Sequence, residues 1–138
     1  MMIDKTAGYR EIPHTADWEL LVWAPDMAAL MVKAAEGMYA LSGTSLAEGP
    51  RSSQQFEFPY LDRESLLVDF LSELLFYAED QELGFDQFDI DFSETRCAVQ
   101  TRGAPILEQA KEIKAVTYHK MQVLETVRGV EVNIVFDV

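Results

Sequence analysis

Two short runs place oxygen-bearing groups at the ends of apolar strands. Ile12 to Asp17 reads IPHTAD, which sets His14 and Asp17 three residues apart, just before the apolar run Trp18 to Trp23. The last residues read VFDV, and they bring the Asp137 carboxylate and the main-chain carboxylate of Val138 to the end of a strongly patterned strand. Hard divalent cations such as Ca²⁺ and Mg²⁺ take oxygen ligands of this kind. Clustered carboxylates repel one another, and a bound cation removes that cost. Spacing alone leaves the plainer readings open: His14 as a hydrogen-bonded turn residue, Asp17 as a solvated acid, and a chain end in water. A third run, EIKAVTYH from Glu112 to His119, carries Lys114 on the strand face that alternation turns away from the core. There it could neutralise an acidic cluster or contact a phosphate, or stand as a surface lysine. His119 falls on the same face as Ile113 and Ala115. Asp69 and Glu73 are four apart on a helical segment, as a paired-carboxylate site or as a solvated face.

No enzyme signature accompanies these groups. The sequence holds no G-x-x-x-x-G-K-[ST] loop, G-x-G-x-x-G turn, H-E-x-x-H, C-x-x-C or G-x-S-x-G elbow. The 138 residues include 24 acids against 11 bases, a net charge of −13. Such a surface repels phosphate backbones at long range, so direct nucleic-acid binding is not expected. A basic protein partner or a divalent cation suits it better. Apolar residues make up 49% of the chain, which excludes intrinsic disorder. No stretch approaches the roughly 20 apolar residues of a membrane span. The opening MMIDKTAGYREIP has no apolar h-region, so no secretory signal is expected. The single cysteine, Cys97, cannot form an intrachain disulfide, which suits a reducing cytoplasm. Without a basic cluster beside it, it reads as an inert core thiol.

The elements that must position these groups follow from periodicity. Met27 to Leu41 carries Met27, Leu30, Met31, Ala34, Ala35 and Met38 at helical spacing, with Asp26 as N-cap and Gly43 just past the end. Arg63 to Glu79 is a second helix, N-capped by Asp62, with its stripe on Leu66, Leu67, Phe70, Leu71, Leu74, Leu75 and Ala78. Strands are expected at Trp18 to Trp23, Gln54 to Phe58, Phe88 to Phe92, Arg96 to Thr101 and Glu112 to Val123. A last strand turns Val130, Val132, Ile134 and Phe136 inward. Ser42 to Ser53 is rich in breakers and reads as a loop. Strands gathered in the second half indicate an α+β fold, and no linker divides residues 1–138, so one domain is expected.

Taken together, YREIPHTAD (Tyr9 to Asp17), LLVDFLSELL (Leu66 to Leu75), IKAVTYH (Ile113 to His119) and VFDV (Val135 to Val138) resemble the archease family, accessory proteins of the RtcB-type tRNA-splicing RNA ligase. The resemblance spans nearly the whole chain. It implies a compact two-layer α+β domain, with two helices against a mixed, largely antiparallel sheet. It implies a protein that catalyses nothing alone. Instead it would promote guanylylation and multiple turnover of the ligase in tRNA splicing or RNA repair. A divalent-metal site, most simply Ca²⁺ with Mg²⁺ or Mn²⁺ as alternatives, would fall on Asp17, Asp137 and Val138. Partner activation would draw on Asp17, Lys114, Asp137 and His14. One segment departs from the family pattern: Arg102 to Glu112 reads RGAPILEQAKE, with Ala104 at the usual acid and no histidine. Rival readings are a chaperone or modulator of tRNA methylation, and a stand-alone metal-dependent phosphoester hydrolase. The latter would need an open coordination position and a base, for which only His14 and His119 are available.

Overall fold

The computed structural model describes residues 6–13 and 17–138. In chain order the elements are β1 (Gly8–Ile12), β2 (Trp18–Ala24), α1 (Met27–Leu41), β3 (Ser45–Leu46), β4 (Ser52–Pro59), α2 (Arg63–Gln81), β5 (Leu83–Phe92), β6 (Arg96–Glu108), β7 (Ala115–Val116), β8 (Leu124–Thr126) and β9 (Gly129–Asp137). This is the expected α+β class with two helices. The strands divide into two sheets, and every pairing between described strands is antiparallel.

Both helices begin where their caps require. The Asp26 side chain accepts a hydrogen bond from the Ala29 N–H at 2.9 Å, and Asp62 accepts one from Ser65 at 2.7 Å. Each cap satisfies a backbone donor that the first turn leaves orphaned. The stripe on α1 buries Leu30, Met31, Ala34, Ala35 and Met38. Gly37 lies on the same buried side. A Cβ there would come within 2.5 Å of the Leu20 side chain and 2.9 Å of the Tyr9 ring, so α1 approaches β1 and β2 closely at this point. Helix α2 runs two residues further than expected and closes at Glu82, whose φ of 51° is the left-handed cap conformation. It buries Leu66, Leu67, Val68, Phe70, Leu71 and Leu74.

The first sheet has the order β1-β2-β9-β7, with β8 also on β9. The second is built on β6, which pairs with β4 and β3 and with β5. Helix α1 packs on β2 and β1, and α2 on β5, β4 and β7. The two sheets and both helices share one contiguous core, from Leu20 and Phe136 to Phe70, Phe85 and Cys97. The Tyr39 hydroxyl accepts from the Phe85 N–H at 3.1 Å and ties α1 to β5, and burial pushes its phenol well above the ordinary value.

Several expectations change. Ser42 to Ser53, expected as a loop, contains β3 and the start of β4, and β5 begins at Leu83. Gly8–Ile12 is a strand, although only two of its side chains are large and apolar. Strand β6 continues through Pro105 to Glu108, where Ala104 is buried in the sheet and the Pro105 carbonyl accepts from Ala47 at 2.8 Å. Glu112 to Val123 is not one strand. Only Ala115 and Val116 pair in the sheet, and the chain then turns, with the Met121 N–H donating to Tyr118 at 3.0 Å and Lys120 at φ 58°. The buried residues here are Ile113, Val116 and Val123, and Ala115 is exposed, so the expected alternation fails.

Two outcomes follow for the core. Phe70 is fully buried and its ring meets Phe58 and Phe88 edge-on, so Phe70→Ala should lower unfolding stability by about 3–5 kcal/mol in urea titration. Cys97 is 0% exposed, and burial, then the nearby Asp91 charge, pushes its thiol from 9.0 to about 11. The folded chain therefore holds this proton to higher pH than the unfolded chain does, and its contribution to stability falls as pH climbs from 9.0 towards 11. Thiol titration should accordingly label Cys97 at neutral pH only after denaturant is added.

Candidate functional site

The site rests on the register between β2 and β9. Trp18 lies opposite Phe136 and Ala24 opposite Val130, in an unbroken antiparallel ladder. The ladder ends there, one residue short of Asp17 on one strand and of Asp137 on the other, so continuing its register would bring these two acids across from each other. Directly opposed residues of an antiparallel pair share a face. Leu20, Val22, Val132, Ile134 and Phe136 are buried on the core side, so Asp17 and Asp137 belong to the outer side. Asp137 is exposed and Asp17 half-buried. The side chain of Val138 packs against the core, which holds the backbone at this sheet end in place.

Lys114 reaches the same end through its main chain. Its N–H donates to the Asp137 carbonyl at 2.8 Å. The register sets Ala115, not Lys114, opposite Asp137, and the Lys114 side chain is exposed. Further along, the Thr117 N–H and hydroxyl both donate to the Val135 carbonyl, at 3.0 and 2.9 Å. The His119 N–H donates to the Thr117 hydroxyl at 3.2 Å, and His119 itself is exposed. His14 lies outside the described residues. Asp69 and Glu73 are half-buried on α2 and join no larger cluster of ligand-type side chains among the described residues.

Among the described residues, no three His, Cys, Asp or Glu side chains converge to hold a cation. Among the described residues, Asp17 and Asp137 are the acids at the β2–β9 end, so main-chain oxygen and water would complete the shell. An all-oxygen, partly hydrated shell of that kind fits a hard cation and suits a soft or imidazole-seeking metal poorly.

Sequence reasoning passes over two features. The Lys111 ammonium lies 5.8 Å from the centroid of the Trp18 ring, beside Asp17. Glu19 is buried on the outer face of the sheet, accepting from Lys120 Nζ at 3.1 Å and from Asn133 Nδ2 at 2.7 Å. The only signal of the second was an acid inside an otherwise apolar strand.

A small α+β protein with two acids paired at one sheet end, and without an assembled catalytic constellation among its described residues, is the class that the geometry defines. The archease protein family matches the chain over residues 9–138. The chain belongs to that family. It is 28% identical to the protein archease of Methanothermobacter thermautotrophicus, covering 94% of this chain and 98% of that one. It is 31% identical to the protein archease of Methanosarcina barkeri, covering 94% and 95%. Its fold superposes on the solution structure of Methanobacterium thermoautotrophicum protein 1598 with a TM-score of 0.71 at 26% identity, over 95% of this chain and 99% of that chain. The crystal structure of an archease and possible chaperone from Thermotoga maritima shares the fold, with a TM-score of 0.70 at 20% identity over 94% and 96% of the two chains. Among the described residues, no helix is long and apolar enough to cross a membrane.

Thr117→Val should remove one of the two bonds to the Val135 carbonyl and the acceptor of the His119 N–H, and cost about 1–2 kcal/mol. Amide exchange followed by NMR should show faster opening at Lys114 and Thr117, with α2 unaffected.

Proposed function

We propose that the protein is a non-catalytic activator of an RtcB-type RNA ligase. It would promote guanylylation and multiple turnover of that ligase in cytoplasmic tRNA splicing or RNA repair. The observation that supports this reading is the β2–β9 register, which ends one residue short of Asp17 and of Asp137, in a chain that belongs to the archease family. In this reading Asp17, Asp137 and the main-chain carboxylate of Val138 hold a divalent cation, Ca²⁺ before Mg²⁺ or Mn²⁺. Bound there, the cation would supply the positive charge that relieves repulsion between the acids.

The chain's own residues do the rest. Phe136 and Val138, seated on the core, fix the end of β9. The Lys114 backbone bond to Asp137 keeps the following segment against that end. The Lys114 ammonium is left exposed, where it can meet a partner. His14 precedes Asp17 by three residues and is assigned to the same contact. A net charge of −13 favours docking on a basic protein surface over contact with RNA.

GTP-dependent RNA ligation by a purified RtcB-type ligase, with and without this protein, tests the reading. The wild type should raise guanylylation and turnover, and Asp17→Asn or Asp137→Ala should reduce that stimulation roughly tenfold or more. Full stimulation by Asp137→Ala would overturn the role of the acids. No stimulation by the wild type would overturn the ligase reading. Suppression of client aggregation that survives both substitutions would favour the chaperone reading instead.

A further inference from the structure

Glu19 is 3% exposed although it sits on the outer face of the first sheet. So is Val135, its partner across the ladder. The segment from Thr117 to Lys120 turns back towards them. Thr117 bonds to Val135, and Lys120 reaches Glu19. A carboxylate buried in this way is costly unless paired. An apolar residue facing Val135 would be cheaper, so the stability of the fold is a weak reason for an acid here.

Its position supplies a stronger reason. Glu19 and Asp17 share a face and lie one alternation apart, about 6.5 Å along the strand. Asp137 lies diagonally across from Glu19, one alternation beyond Val135. The Lys120 ammonium, on a flexible four-carbon stem and paired with Glu19, is therefore about one strand alternation from the positions of Asp17 and Asp137. An ammonium seated between those acids would occupy the place of a divalent cation. In the structure it is drawn the other way, onto Glu19 at 3.1 Å, and Asn133 orients the second Glu19 oxygen at 2.7 Å.

We propose that Glu19 is a positioning residue that holds Lys120 away from the Asp17–Asp137 pair and so keeps the pair open to a divalent cation. This rests on the reading of that pair as a cation site. In this proposal Glu19 acts through Lys120 and is not a ligand of the cation.

Calcium binding to the purified full chain, measured by calorimetry and by competition with Tb³⁺ luminescence, tests it without any ligase. Glu19→Gln removes the charge that holds Lys120, and should weaken calcium binding about tenfold. The double variant Glu19→Gln with Lys120→Met removes the competing ammonium as well, and should return binding to within about twofold of wild type. Wild-type affinity in Glu19→Gln, or a double variant as weak as the single one, would overturn the proposal, because a merely structural role is not rescued by removing the lysine. If Glu19→Gln does not fold, Lys120→Met alone decides: affinity at or above wild type supports the proposal, and a loss of about tenfold overturns it. A wild-type protein that binds no divalent cation would overturn the cation reading itself, and this inference with it.

Discussion

Everything at the candidate site depends on the pairing of β2 with β9. Residues from opposite ends of the chain are registered against each other from Trp18↔Phe136 to Ala24↔Val130. Long-range pairing of this kind is costly in chain entropy and must be rewarded by burial. The reward lies on one face, where Leu20, Val22, Ile134 and Phe136 are almost wholly removed from water. A slip of one residue would turn that set outward. The core therefore fixes the register, and that register, continued by one residue, would bring Asp17 across from Asp137. Two like charges side by side are not what an isolated sheet would choose. Their position follows from the packing beneath them.

The segment after Lys114 completes the arrangement from outside. It is fastened to β9 by main-chain bonds at Asp137 and Val135, and to β2 by the Lys120–Glu19 ion pair. These contacts bury one end of the sheet's outer face, which an antiparallel sheet ordinarily leaves to solvent. Lys120 is held on Glu19, Lys111 lies over the Trp18 ring, and Lys114 bonds Asp137 through its main chain. In a chain with 11 bases against 24 acids, three lysines near one sheet end offset part of the negative charge that Asp17, Glu19 and Asp137 bring there.

Much of the fold was legible in the sequence because the helices carry unambiguous period and caps. Leu30, Met31, Ala34 and Met38 on α1, and Leu66, Phe70 and Leu74 on α2, are buried as their spacing requires. Strand β1 was not legible. It is a largely exposed edge strand held by main-chain bonds to β2, and its Arg10 and Glu11 carry no inward pattern. The alternation expected from Glu112 to Val123 fails because backbone bonds to β9, and then a turn at Lys120, set that segment's course. Of the site, Asp17 and Asp137 could be read as strand-end acids, but their apposition needs the register. Lys114 could be singled out, though not that its main chain, and not its ammonium, makes the contact. The burial of Glu19 is invisible in sequence, since Lys120 and Asn133, which donate to it, lie 101 and 114 residues away.

Gly37 gives the helix layer a say in all of this. With no side chain of its own, it lets α1 rest against Leu20 and the Tyr9 ring at a separation that even a methyl group would violate. Leu20 belongs to the strand that begins beside Asp17, so the spacing of helix and sheet is transmitted along a stiff ladder to the acids. A lineage that enlarged this residue would have to lift β2, and with it one half of the carboxylate pair. Drift in a buried helix, far from any partner, could thereby retune how the two acids meet.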